Sequence, residues 1–269
     1  MEKQPAPMPK PRKYPELWQA YQLWSELMEL RKRHLLRISA IERGVSNMDA
    51  EYERMMLDTI GADALVATAK RFMVEAGKAH PMWEWVTSIR GLGEGGLAAQ
   101  LLAQIDDISS FATVSKLWRF AGYAVIDGQI DRCARGTKSP YSRRLKSTLF
   151  LIVEQFIRQQ TSPYAELYYA EKERQRRLHP ETICRECGCP WEACSQKKRH
   201  HKALNDGHIH HRAMRKTAKI FLQHLWVQWR TAEGLPVTMP YVHDILGHNH
   251  YIGPAVPAEA APILAAEEA

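Results

Sequence analysis

The sequence predicts an all-α protein: an N-terminal long helix or coiled-coil segment, then a helical domain with a small zinc-stabilised insert. Apolar residues recur at alternating steps of three and four over long stretches. No series of strands and no repeating strand–helix alternation accompanies them. Four of the five cysteines crowd between positions 184 and 194, which in a reducing compartment points to metal rather than to disulfides.

Residues 1–13 carry Pro5, Pro7, Pro9 and Pro11 with no apolar period and read as a disordered tail. Residues 14–80 form a helical coiled-coil region. Leu17, Tyr21, Trp24, Met28, Arg31, Leu35 and Ile38 step by four and three, and Ile41, Val45, Met48, Tyr52 and Met55 continue after a slip. The slip is one extra step of three, the mark of a stammer. Gly44 lies beside it and weakens a helix by about 1 kcal/mol. Two readings stay open: half of an intermolecular coiled coil, or a hairpin that turns at 44–47. A further helix spans 59–80.

Residues 81–247 form the second domain. Pro81 opens it, and a glycine-rich stretch leads to a helix at 97–105. A polar turn at Asp106 and Asp107 precedes a helix at 114–121. Residues 123–144 read as a long loop. A helix at 143–160 shows the helical period in Leu145, Leu149, Ile152, Val153, Phe156 and Ile157. A charged helix at 163–178, a Cys/His insert at 180–208 and an apolar-faced helix at 210–230 follow. Residues 248–269 read as a flexible tail.

The charge of +7 and pI near 9.1 favour polyanionic partners. No apolar run reaches the roughly 18–20 residues of a membrane span, and the first residues lack the apolar core of a signal peptide. A cytoplasmic location is expected, with no membrane partner.

Three constellations carry chemistry. Arg90, Gly91, Gly93 and Gly95 have the form of a helix-hairpin-helix, whose free amides hold a phosphate oxygen, or of a plain helix–helix corner. Arg132, Arg135, Lys138, Arg143, Arg144 and Lys146 lie in a run with no acidic residue up to Val153. Cations are disfavoured at a helix N-terminus, and a phosphate there removes the conflict. Arg212, Arg215, Lys216 and Lys219 repeat at helical spacing opposite an apolar face.

The third constellation is the insert. Cys184-x-x-Cys187-Gly188 is a knuckle turn, and Cys194 and His200 complete a tetrahedral zinc set. Cys189, His201 or His208 could replace one of these four. A redox role for the Cys-x-x-Cys pair lacks a surrounding βαβ pattern. An HNH-type nuclease lacks a matching strand pair and a well-placed general-base histidine.

Ile89-Arg90-Gly91-Leu92-Gly93, the run from Ala98 to Phe111, and Leu117-Trp118-Arg119-Phe120-Ala121-Gly122-Tyr123 resemble the C-terminal domain of bridge-RNA-guided, DEDD-type insertion-sequence transposases. Residues 135–145 and 210–226 continue the match in order, so the resemblance covers roughly 83–232. Two features depart from it. Those transposases carry an N-terminal RuvC-like domain where this chain has heptads. They also carry a serine nucleophile before a glycine where this chain has Asp127-Gly128.

With cleavage chemistry absent, the chain is similar to Nop-type domains of box C/D-like ribonucleoproteins. It also resembles the Tas proteins, which use tandem interspaced guide RNAs. The resemblance implies a non-catalytic homodimer around a structured guide RNA that pairs with double-stranded DNA. The basic-loop cations would contact the RNA backbone, with Tyr141 stacked or packed nearby. The alternative is an active insertion-sequence transposase or recombinase relying on a partner's catalytic domain.

Overall fold

The computed structural model describes residues 11–126, 129–130, 133 and 136–238 and is all-α, as expected. Arg132, Arg135, the Asp127-Gly128 pair, residues 1–10 of the proline-rich tail and the tail at 248–269 lie outside the described residues. Among the described residues no helix is long and apolar enough to cross a membrane. The chain divides into two compact units: Met1–Glu84 with Glu94–Asp107, and Trp85–Gly93 with Ile108–Ala269.

The first unit is built from α1 (Pro15–Glu42), α2 (Ala50–Thr59) and α3 (Ala62–Lys78). Pro15 sits at the start of α1, where its missing N–H costs nothing. The Asp106 carboxylate accepts from the amides of Lys13 and Tyr14 at 3.2 and 3.3 Å and so ties down the residues just before α1 from a distant part of the sequence. α1 ends in a left-handed glycine cap. Val45 N donates to Ala40 O and Gly44 N to Ile41 O, with Gly44 at φ +71°. Asp49 then accepts from the Glu51 and Tyr52 amides and starts α2.

The extra step of three is therefore a chain reversal and not a stammer within one helix. The hairpin reading describes the chain, and α1 packs back along α3. Leu17, Tyr21, Ala69 and Met73 are buried in this unit. Glu53 of α2 is buried at 1 % exposure, 2.7 Å from His34 Nδ1 and 2.7 Å from Arg37 Nη1 of α1. Arg37 and then His34 hold its carboxyl below the usual range. Continued heptad positions past the turn, Val45, Met48, Tyr52 and Met55, are exposed.

After α3, His80 lies buried against the Tyr14 ring at 4.1 Å, and its Nδ1 accepts from Met82 N at 3.1 Å. Burial pushes this imidazole down to about 3, so it stays neutral as that acceptor requires. α4 (Trp83–Ser88) follows, and α5 (Gly96–Ile105) completes the first unit against α1 and α3.

The second unit continues through a 3-10 turn (Ile108–Ser110), α6 (Val114–Phe120), α7 (Arg143–Gln159), α8 (Pro163–Leu178) and α9 (Asp206–Ala232). α9 packs on α6, α7 and α8. Its buried face holds Phe221, Leu222, Leu225, Trp226 and Trp229. Phe156, Tyr164 and Phe221 meet ring to ring at 4.8 to 5.4 Å. Two buried polar pairs tie this core together: Trp226 Nε1 donates to Phe111 O at 2.7 Å, and Tyr164 Oη meets His224 Nδ1 at 2.9 Å.

Three expectations change. The stretch read as a long loop contains a small hairpin, β1 (Val125–Ile126) antiparallel to β2 (Gln129–Ile130). The insert is shorter than 180–208, because Asn205 accepts from His208 N at 2.9 Å and caps α9 there. A second antiparallel pair, β3 (Ile183–Cys184) with β4 (Lys202–Ala203), frames the insert, so the absence of paired strands expected there does not hold.

Candidate nucleic-acid interface and metal centre

α6 ends in the same kind of cap as α1. Tyr123 N donates to Trp118 O and Gly122 N to Arg119 O. A Cβ at Gly122, φ +76°, would lie 2.7 Å from the Tyr141 ring. Close approach of that ring, with Ser142 N donating to Phe120 O at 2.8 Å, fixes the start of α7 beside α6. The Ser142 hydroxyl caps α7 by accepting from Leu145 N. Tyr141 is thus packed against Gly122, and Lys146 Nζ stands 4.3 Å over its ring. Gly122→Ala combines a left-handed β-carbon with that overlap and is expected to cost about 2–4 kcal/mol. Denaturant titration checks this, and an unchanged midpoint would contradict it.

α9 brings two further cations to this place. Lys219 Nζ lies 4.2 Å over the Trp118 ring, while Trp118 Nε1 donates to Lys219 O at 3.0 Å. Arg215 is near enough to Lys146, Lys219 and Tyr123 to act on each. Burial is the first cause that pushes Lys146, Arg215 and Lys219 below their ordinary ranges, and Arg215 is the second for both lysines. Burial raises the Tyr123 hydroxyl, so this neighbour is a neutral phenol at pH 7. Among the described residues no carboxylate pairs with any of the three cations. Two patches separated by 69 positions, one on α7 and one on α9, are thereby joined into one half-buried cationic site.

The other two α9 cations face elsewhere. Lys216 Nζ pairs with Glu171 of α8 at 2.7 Å. Arg212 Nη1 reaches Gln175 Oε1 at 3.1 Å and His179 Nε2 at 2.9 Å. The cluster expected as one patch is two rows, 212/216 tied into α8 and 215/219 turned to α6 and α7. Glu171, 5 % exposed, also accepts from Arg174 and Gln175, which with Lys216 outweigh burial and hold its carboxyl at about 2.

A carboxylate lowered from 4.5 to about 2 adds stability above its unfolded value and loses it as pH falls through the folded one. Glu171→Gln is expected to destabilise by about 1–3 kcal/mol at pH 7. The difference from the parent should close between the unfolded and folded values, as acid unfolding curves would show.

Arg143, Arg144 and Lys138 are exposed along the approach to α7. Arg143 Nε contacts the Cys133 sulfur at 3.4 Å, and Cys133 in turn meets Ser139 Oγ at 3.2 Å. Hydrogen bonds from Ser139, Tyr141 and Arg143 lower this thiol to about 7. The glycine stretch is a run of turns. Leu92 N donates to Ile89 O, and Gly91 (φ +106°) lies against the α7 backbone at Gln155. Gly93 is also left-handed, and Gly95 is the extended residue before α5. Arg90, Gly91 and Gly93 belong to the second unit and Gly95 to the first.

The metal centre assembles as expected. Cys184, Cys187, Cys194 and His200 place their ligand atoms within 4.8 Å of one another and form a group able to hold a metal ion. Cys184 is on β3, and Gly188 N closes the knuckle by donating to Cys184 O at 3.0 Å. Cys194 follows a 3-10 turn (Trp191–Ala193), and His200 precedes β4. His200 Nδ1 lies 3.2 Å from the Cys184 sulfur and 3.5 Å from that of Cys194.

The alternatives fall outside this group. His201 is bound to Glu186 at 2.8 Å, His208 to Asn205 at 2.7 Å, and Cys189 stands 2.9 Å from Cys187 outside the group. Sequence reasoning missed Trp118, Tyr123 and Cys133 as neighbours of the cations. Trp118 is 101 positions from its α9 partner, so no local spacing links them. No family model matches the chain, and no curated protein matches it.

Proposed function

We propose that this protein is the RNA-binding component of a guide-RNA ribonucleoprotein that finds double-stranded DNA by RNA–DNA pairing and has no nuclease activity of its own. One observation supports the binding half of this reading most strongly: Lys146, Arg215 and Lys219 are half-buried together with no carboxylate among the described residues. Cations that repel one another in a partly desolvated place gain most from an external anion. A phosphate backbone supplies such anions in a row, and the Tyr141 and Trp118 rings beneath the ammonium groups orient them. Arg143, Arg144 and Lys138 extend the track, and Arg132 and Arg135 belong to the same stretch of sequence.

The guide RNA, the duplex DNA target, the homodimer and the cytoplasmic setting rest on the resemblance of residues 83–232 to Nop-like and Tas proteins. In this reading the metal is structural zinc. Three thiolates and one imidazole suit its tetrahedral preference, and the insert is too small for a core of its own.

Purification of the full chain with its nucleic acid, followed by sequencing, tests the proposal. The expected result is one discrete small RNA, and protein carrying it should retain a duplex DNA matching that RNA. A covalent protein–DNA adduct or strand cleavage with Mg²⁺ would replace this reading with that of a recombinase.

A further inference from the structure

We propose that the metal-held insert is a second binding site, for an unpaired strand of nucleic acid, with a base stacked on Trp191 and phosphates on Lys198, Arg199 and Lys202. This site is separate from the α7–α9 cations and does not depend on a guide RNA.

The charge accounting of the insert leads to it. Of its three glutamates, Glu186 is taken by His201, Glu192 pairs with Lys197 at 3.5 Å, and Glu181 pairs with none of the insert's cations among the described residues. Lys198, Arg199 and Lys202, with Arg185, have no carboxylate partner among the described residues. All four are exposed. A charge run on a mobile loop is ordinarily just solvated, but this one is clamped. Residues 195–199 form a short turn between two metal ligands, Cys194 and His200, closed by Arg199 N and His200 N donating to Gln196 O at 2.9 and 3.0 Å. A cavity of about 470 Å³ opens along it, lined by Cys194, Lys197, Lys198 and Arg199 among others.

An aromatic ring stands beside one of these cations, Lys202. Trp191 N donates to Thr182 O at 2.8 Å, next to β3, and Lys202 Nζ lies 5.4 Å from the ring centroid. The ring is half-buried and held three residues before a ligand. An indole with one unpaired lysine beside it, in the same small insert as the basic turn at 195–199, offers a platform for an unstacked base, while the cations track the backbone. A duplex keeps its base faces covered, so the ring selects a single strand. The small patch suits two or three nucleotides rather than a long track.

The test uses the full, metal-loaded chain in a Lys146→Met/Arg215→Met background, which removes the α7–α9 cations. Fluorescence anisotropy follows labelled oligo(U) and oligo(dT) of about ten nucleotides. Binding is expected to persist in this background. Trp191→Ala should weaken it about tenfold, and Trp191→Phe, which keeps a ring, should restore it to within about threefold. Lys198→Ala/Arg199→Ala should lower the slope of log affinity against log salt by about 1.4, two phosphates on a single strand.

Absence of binding in the background, or unchanged affinity and slope in the insert variants at full metal content, overturns the proposal. Where Trp191→Ala lowers the metal content, Trp191→Phe and Lys198→Ala/Arg199→Ala decide. Failure here leaves the α7–α9 reading standing, and failure of that reading leaves this one.

Discussion

Lys146→Met combined with Arg215→Met is expected to weaken RNA binding at least about tenfold at about 0.1 M salt while leaving the protein as stable as the parent or more so. The two halves of this expectation come from one fact. Both cations are pushed below their ordinary ranges by burial, and neither has a carboxylate partner among the described residues. Methionine keeps the apolar stem and removes the charge, so the fold loses a repulsion and only a modest cation–π contact, about 0.5–1 kcal/mol.

Phosphate binding loses two of its anchors. The slope of log affinity against log salt should fall by about 1.4 to 1.8, depending on whether the bound segment is single- or double-stranded. The parent should also gain stability as pH rises toward the lysine range, since a lowered Lys146 releases its proton earlier when folded. That gain should shrink in the variant. A variant that unfolds much earlier and binds RNA as before would mean that these cations serve packing alone.

Metal removal is expected to have the larger effect on structure. Fresh protein should carry close to one zinc per chain, and Cys184→Ser should lose it. Cys189→Ser and His201→Ala should keep it, since neither side chain belongs to the ligand group. Burial is the leading cause holding the Cys184 thiol up at about 11, so metal must displace a proton there. Affinity should therefore fall as pH is lowered, and a chelator should strip the site more readily in acid.

Binding of structural zinc is worth about 10–16 kcal/mol in isolated zinc-finger peptides. The insert should thus melt without it, while α9, capped by Asn205 and buried against α6, α7 and α8, stays helical. Near-zero metal content in fresh protein, or zinc retained by Cys184→Ser, would end this account of the insert.

Much of the fold was legible locally. The charged helix at 163–178 has the bounds its composition suggests, with Pro163 at its first position. α7 shows its buried face in the spacing of Leu145, Leu149, Ile152, Val153 and Phe156. The four side chains able to hold a metal were legible because a knuckle turn and two nearby donors are a short-range pattern. The break after Glu42 was only half legible. Heptad spacing runs through it, and the glycine cap that ends α1 wins because Gly44 alone supplies the left-handed residue.

The interface was legible as two charged patches and not as one site. Arg212 and Arg215 lie on neighbouring rows of the same helix, and only packing decides that one faces α8 and the other α7. The aromatic rings under Lys146 and Lys219 come from the end of the 123–144 loop and from α6, joined through the Gly122 corner. Nothing in local periodicity reports such a meeting.

Photo-crosslinking of the copurified RNA, with the attached peptides identified by mass spectrometry, bears most directly on the cationic site. Attachment is expected within residues 138–146 of α7 and its approach, at Trp118, and within residues 215–219 of α9. Crosslinks confined to other surfaces, with these three segments unmodified, would contradict the account.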